Sequence, residues 1–428
     1  MTTELIEIDS YVLGQMLDKK NLSRQDFADK LGISTKTIQR WINGTVRRVR
    51  PDTLGRIAHT LEITPDQLCK SSVPIEMRPI NRALEEICKD SFLCRIRVTD
   101  EYSSYLKLLK SFSPNELCSA QRMTLYTHIG FTSFYLGKNR ASRMYLDEAL
   151  KIAYSLNMPT KIISILSWSA LREDFCGNRH EALSLVERCE DYLKYTNDCS
   201  KSRAEYLFRK GHVLYHGEQF AEAIPLIRDS ILIEYKQPQQ NLFALGMKYF
   251  HLSECYLRTR DFAKAKAALS KTARIAEKAG WVRGHAYSYF GLGIIGIFEK
   301  SDCQSVRASF AKARMLRSYT TSEKINTKAE QREFIYFAIK GQTNEARNLI
   351  LNNIRFNRRF IHFFASSILD GLFFAKLFPE SFSMRPSLIE RATDYFEKNN
   401  LQRSLNALKL LNSKERISMA EFLELYVF

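Results

Sequence analysis

The stretch Leu22–Leu68, LSRQDFADKLGISTKTIQRWINGTVRRVRPDTLGRIAHTLEITPDQL, decides how this chain is read. Ser23 stands where a helix cap belongs. Asp26, three residues on, takes the capping-box position with Asp in place of Glu, and Leu22 and Phe27 have the spacing of a hydrophobic staple. The helix that follows runs through Ala28 and Leu31 and stops at Gly32, a residue that tolerates left-handed backbone. Ser34 caps a third helix, Thr35–Ile42, which buries Ile38 and Trp41 or Ile42 and ends at Asn43-Gly44. Pro51 suits the first turn of a fourth helix with Leu54, Ile57, Ala58 and Leu61 on one face. Thr64-Pro65-Asp66 opens a short fifth. Upstream, Ser10–Asp18 is apolar at Tyr11, Leu13, Met16 and Leu17 and makes the first helix.

Helix, short turn with glycine, helix is the helix-turn-helix motif. From Ser10 to about Leu68 the chain resembles the Cro/phage-repressor (XRE) family. Ala28, Gly32, Ile38, Asn43-Gly44 and the Leu54…Leu61…Leu68 frame fall where that family places its core and turns. The resemblance implies that the third helix enters the major groove of DNA. It assigns base reading to Thr35, Lys36 and Arg40, and phosphate contact to Ser23, Arg24 and Asn43. Lys and Arg suit guanine O6 and N7, and a Thr methyl suits thymine. Arg47, Arg48 and Arg50, in the loop behind the reading helix, add to the phosphate-binding set. Between Lys36 and Arg56 there are six bases against Asp52 alone, whereas residues 1–70 as a whole hold 11 bases and 9 acids. Positive charge is thus focused on the reading helix and that loop, as DNA binding requires. The chain departs from the family once. Leu17 and Ile42 occupy the positions of a common Arg–Glu pair, so an apolar contact is expected there.

Lys70–Ile80, with two prolines and a serine pair, reads as a linker. It divides a DNA-binding domain at 1–70 from a helical domain at 81–428. That domain repeats. Gly130, Ala170, Gly211, Ser253, Ile294 and Phe334 follow one another at 40, 41, 42, 41 and 40 residues. Sixteen residues after each comes a large or branched apolar residue: Leu146, Val186, Ile227, Leu269, Phe310 and Ile350. Nineteen after come Ala149, Cys189, Ser230, Thr272, Ala313 and Asn353. Twelve after come Ser142, Ala182, Ala223, Ala265, Val306 and Ala346. Such columns describe stacked helical hairpins, in which small residues let two helices approach and apolar ones seal the stack. The pattern resembles tetratricopeptide (TPR) repeats, with longer units than the usual 34 residues. Helices at 81–120 and 366–428 are expected to cap the array. The fold class is therefore all-α, a five-helix helix-turn-helix domain followed by a TPR-like solenoid.

Composition agrees. Gly (17) and Pro (10) are about 6% of 428 residues, too few for an all-β chain, and 45% hydrophobic content is too apolar for disorder. The net charge is +17, of which +15 falls in residues 71–428, and it invites an anionic partner. The first residues have no apolar core of an export signal. The most apolar stretches, Tyr287–Phe298 and Ile361–Phe378, are respectively too short to span a bilayer and interrupted by Asp370 and Lys376. Nine cysteines lack any C-x-x-C pair and read as reduced thiols, which suits the cytoplasm.

No P-loop, G-x-G-x-x-G, G-x-S-x-G or H-E-x-x-H is present, so neither an enzyme nor a bound cofactor is expected. His212 and His216 are i, i+4, but no acid or cysteine sits beside them in sequence. They read as exposed groove histidines and not as metal ligands.

An XRE-type domain joined to a TPR-like array resembles the Rgg/PlcR-type (RRNPP) regulators. That resemblance implies a cytoplasmic homodimer that binds a palindromic operator in double-stranded DNA. It also implies that the repeats sense a short signalling peptide or a protein segment, as in quorum sensing. Inward positions of the repeats carry Thr127, Phe131, Tyr135, Ser167, Trp168 and Asp174. The groove assigned to the ligand adds Phe208, Arg209, His212, His216, Phe250, His251, Glu254 and Arg258 to Trp168. Two alternatives stay open: a constitutive phage- or plasmid-type repressor whose repeats only dimerise, and a TPR protein-interaction adaptor.

Overall fold

The computed structural model describes residues 5–43, 45, 46, 48–69, 79–194, 196, 200–238, 240–319, 333–358 and 360–426. The chain divides into two compact units, Met1–Glu86 and Ile87–Phe428. Gly44, Arg47 and most of the expected linker, residues 70–78, lie outside the described residues.

In the first unit α1 (Ser10–Lys19), α2 (Arg24–Leu31), α3 (Thr35–Ile42) and α4 (Pro51–Thr60) pack around Phe27, Leu31, Ile38, Trp41, Leu54 and Ile57. Both serine caps form. Ser23 Oγ accepts from the Asp26 amide (3.1 Å) and Ser34 Oγ from the Thr37 amide (3.2 Å). Gly32 ends α2 at φ 60°, where a β-carbon would be strained. Leu17 is buried and Ile42 packs on the same core, the apolar packing expected at these two positions.

Two elements of this unit differ from the sequence expectation. The fifth helix is a single 3₁₀ turn, Pro65–Gln67, held by the Thr64 amide donating to Gln67 Oε1 (2.9 Å). In addition, β1 (Ile6–Glu7) pairs antiparallel with β2 (Arg48–Val49), Ile6 opposite Val49 and Glu7 opposite Arg48. Arg48 is thus on a strand and not in a loop. Two-residue strands are too short to show a period of two.

The second unit is helical throughout its described residues. The division falls within α5 (Pro79–Cys88), which takes in the last two residues of the expected linker, and α6 (Asp90–Thr99) and α7 (Tyr102–Lys110) follow it. Six hairpins follow: α8 (Ser119–Tyr135) with α9 (Asn139–Ser155), α10 (Pro159–Phe175) with α11 (Arg179–Leu193), and α12 (Ser200–His216) with α13 (Phe220–Tyr235). Then come α14 (Leu242–Arg258) with α15 (Phe262–Lys278), α16 (Val282–Phe298) with α17 (Cys303–Ser318), and α18 (Glu333–Ile339) with α19 (Thr343–Asn357). The chain closes with α20 (Ile361–Leu377), α21 (Pro386–Lys398), α22 (Gln402–Ser413) and α23 (Met419–Tyr426). Every residue of the four repeat columns is buried. Among the described residues no disulfide forms and no helix is long and apolar enough to cross a membrane.

An open solenoid touches only sequential neighbours. This array does more. Glu218, after α12, accepts from the Arg403 amide (2.8 Å) and the Ser404 amide (3.1 Å) at the start of α22. The Arg179 amide donates to Asn399 Oδ1 (3.4 Å). Phe134 and Phe175 pack edge-on against Phe360. The last helices therefore return onto the first hairpins. On the other side α6 lies against α14, and its Asp90 pairs with Lys201 of α12. The groove that the repeat pattern suggests is a partly open cavity within the unit.

Candidate functional site

Helix α3 has a clean division of labour. Ile38 and Trp41 face the core, and Lys36 and Arg40 are exposed. Thr35 sits at its N-terminus, where its hydroxyl donates to Gln25 Oε1 of α2 (2.8 Å). Arg24 Nη1 donates to Gln39 Oε1 (2.5 Å), and Gln39 Nε2 donates to Asn43 Oδ1 (2.7 Å). Arg24 and Asn43 are therefore tied through Gln39 to the helix that carries Thr35, Lys36 and Arg40, and Ser23 immediately precedes Arg24 as the cap of α2. Arg48 and Arg50 are exposed on and after β2, and Arg50 precedes α4 without capping it by its side chain. Arg47 lies outside the described residues.

Sequence reasoning passed over Gln25 and Gln39, which tie this face together. Their signal is the helical spacing 35, 36, 39, 40, 43, which puts Gln39 on the reading stripe. Glutamine can also hold adenine N6 and N7 in a bidentate pair.

Within the second unit lies a cavity of about 730 Å³, walled chiefly by the first helices of the first five hairpins and by α6. Thr127, Phe131, Tyr135, Trp168, Phe208, Arg209, His212, His216, Phe250 and His251 all line it. The other inward positions do not. Ser167 and Asp174 are buried behind the wall. Glu254 is buried and accepts from Tyr215 Oη (3.4 Å), and the Arg258 carbonyl takes a hydrogen bond from Arg403 (3.4 Å). These last two sit deeper or later along the helix, where the returning C-terminal segment covers it.

Three cations of the wall are matched by acids. Lys201 meets Asp90, Arg283 meets Asp100 (3.2 Å) and Lys248 meets Glu234 (2.6 Å). Arg97 and Arg209 are not matched. Their guanidinium carbons lie 5.1 and 5.5 Å from the ring centroid of Trp168. Neither guanidinium has a hydrogen-bond or ion-pair partner among the described residues, and both Nε atoms are buried. Arg209 is only 7% exposed. Burial lowers its affinity for the proton, partly offset by Glu205 nearby. Burial in turn pushes the Glu205 carboxyl above the usual range, against the pull of Arg209 and Arg97. A buried guanidinium with no ion-pair partner, even with Glu205 nearby, favours an anion from outside. Arg97 escaped the sequence reading because it precedes the first recognised repeat.

His212 and His216 are not exposed groove residues, as the sequence suggested. Both are buried, and Asp174 of α10 stands between their ring nitrogens. The acid missing from their sequence neighbourhood arrives from the preceding hairpin.

Residues 12–72 match the Cro/C1-type helix-turn-helix DNA-binding domain. No curated protein matches the chain by sequence. Among solved structures, the chain is similar to PlcR of Bacillus thuringiensis in complex with the peptide PapR7 and DNA. Identity is 15%, coverage is 65% of this chain and 96% of that one, and the TM-score is 0.37. A Rap protein complexed with competence and sporulation factor is 14% identical over 79% of this chain and 97% of that one, with TM-score 0.47. Aspartyl phosphate phosphatase F from Bacillus subtilis is 14% identical over 93% and 95%, with TM-score 0.41. The N-terminal unit is a Cro/C1-type helix-turn-helix DNA-binding domain, and a TPR-like helical array follows it.

Proposed function

We propose that the protein is a sequence-specific, DNA-binding transcription regulator that acts as a homodimer and answers to a ligand held in its helical array. The observation that carries the first half is the exposed face of α3, with Thr35, Lys36 and Arg40 in line on a matched DNA-binding domain. One small domain offers few base contacts. Two copies on half-sites about 34–36 Å apart supply the rest. Selection of binding sites from random duplexes by the full-length protein tests this, with the enriched sequence expected to be an inverted repeat. Sedimentation of the bound complex gives the stoichiometry. Enrichment of a single unrepeated site, bound by one copy, counts against the dimer.

The ligand reading rests on Arg97 and Arg209 beside Trp168. Two guanidiniums can grip one carboxylate through parallel N–H donors, and aromatic walls suit apolar side chains. We therefore assign the cavity to a short peptide or protein segment that presents a carboxylate to this pair. Synthetic random peptides with free C-termini should be captured by the purified protein and identified by mass spectrometry. The same peptides amidated should not. Equal capture of both libraries speaks against carboxylate recognition.

A further inference from the structure

Four of the chain's eight histidines converge on one spot in the second unit. His212 and His216 lie one turn apart on α12, with ring centroids 4.3 Å apart. His251 of α14 meets His212 edge-on at 4.5 Å. His362 of α20 stacks on His216 at 4.2 Å. At the centre stands the carboxylate of Asp174. One ligand atom from each of Asp174, His212 and His216 lies within 4.8 Å of the others, and all three residues are buried.

The hydrogen bonding of this cluster is incomplete. His216 Nδ1 bonds directly to Asp174 Oδ2. His212 Nδ1 points at the same oxygen from 4.0 Å, is buried, and has no hydrogen-bond partner. A buried ring nitrogen is rarely left so in a folded protein. Positioning groups surround the cluster: Phe175 lies parallel to the His212 ring (6.0 Å, 11°), and His362 Nδ1 is 2.9 Å from Tyr395 Oη.

We propose that Asp174, His212 and His216 form a binding site for a divalent transition-metal ion of the zinc or cobalt class. Two imidazoles with one carboxylate suit such ions, whereas magnesium and calcium demand oxygen ligands. Three protein ligands leave a fourth position, as in zinc sites that accept an external group. Two of the three ligands, His212 and His216, also line the cavity. Bonds of about 2.0–2.2 Å draw the three atoms together. His212, whose Nδ1 no hydrogen bond restrains, is the ring placed to turn inward. The Phe175 stack and the His362–Tyr395 hydrogen bond flank the site, as outer contacts do in metal sites generally. The site joins α10 to α12 whatever the cavity holds, so it stands apart from the carboxylate reading.

The test uses the full-length protein, stripped with a chelator and then equilibrated with cobalt chloride. Bound cobalt is counted by elemental analysis, and its visible d–d absorption reports the geometry. The expected result is about one equivalent per chain with a four- or five-coordinate spectrum, displaced by zinc. His212→Gln and His216→Gln should each bind at least tenfold more weakly. His180→Gln, at an exposed position, should bind as the parent does. A second readout covers variants that fold poorly: zinc should raise the parent's Tm in a concentration-dependent way. Cobalt uptake that is absent from the parent, or equal in parent and His212→Gln, overturns the proposal. So does a parent Tm that does not respond to zinc.

Discussion

Gly130 of α8 sits directly over Leu146 of α9: a β-carbon added to the glycine would stand 2.7 Å from the leucine γ-carbon. Gly211 meets Ile227 at the same distance one unit pair along. This is the physical meaning of the sixteen-residue spacing in the sequence. The small residue exists so that the large one can enter.

Gly130→Ala should therefore destabilise the protein by about 1–2 kcal/mol, because overpacking outweighs the gain in helix propensity. Gly55→Ala on α4, where nothing lies within 4 Å of the new methyl, should stabilise by about 0.5–1 kcal/mol. Urea denaturation midpoints for the pair check the opposite signs.

Arg40→Ala should cost roughly 1–3 kcal/mol on the selected operator and relax preference at one base pair. Arg24→Ala should weaken binding to all duplexes and lower the salt dependence by about one unit of slope. Gln39→Ala, which releases the Arg24 guanidinium, should reproduce part of the Arg24 effect. Fluorescence anisotropy over a range of salt concentrations distinguishes the three.

Arg209→Leu separates stability from ligand response. Removing a buried cation that has no hydrogen-bond or ion-pair partner, only a ring contact with Trp168, should stabilise the unliganded protein by about 1–3 kcal/mol. The same change should raise the Kd of a captured peptide about 10–100-fold, the worth of a charge-assisted hydrogen bond. Tm and isothermal titration, measured on one preparation, test both signs.

His128 gives a pH dependence. Its Nδ1 lies 2.6 Å from Tyr105 Oη, and burial lowers its pKa to about 3. The unfolded chain takes up this proton near pH 6.5 and the folded chain does not, so stability falls as pH drops through the window from about 6.5 towards 3. At pH 5 the loss from this residue should be about 2 kcal/mol. His128→Asn should flatten the Tm profile between pH 7 and 5. An unchanged profile counts against the assignment.

Local pattern and repeated pattern were both legible. The caps at Ser23 and Ser34, the turn at Gly32 and all four buried repeat columns follow from residues that act on near neighbours. What escaped depends on the return of the chain. Asp174 lies 38 residues before His212, and His362 lies 146 after His216, so no linear spacing announces their meeting. Arg97 belongs to a helix outside the repeat register, and its place beside Trp168 is set by how α6 crosses the array. Glu254 and Arg258 fit the inward stripe of α14 yet do not line the cavity, because the C-terminal helices occupy that end. The strand at Ile6–Glu7 is too brief to leave a period.

The clasp between Glu218 and the start of α22 has an evolutionary corollary. Solenoids commonly lengthen or shorten by duplication or loss of whole repeats, since each junction looks like every other. Here the hairpin number is counted by a latch: insert one unit between residues 218 and 403 and the Ser404 amide no longer arrives at its carboxylate. Descendants of this chain can vary the lining of the cavity residue by residue, but the circumference is inherited whole.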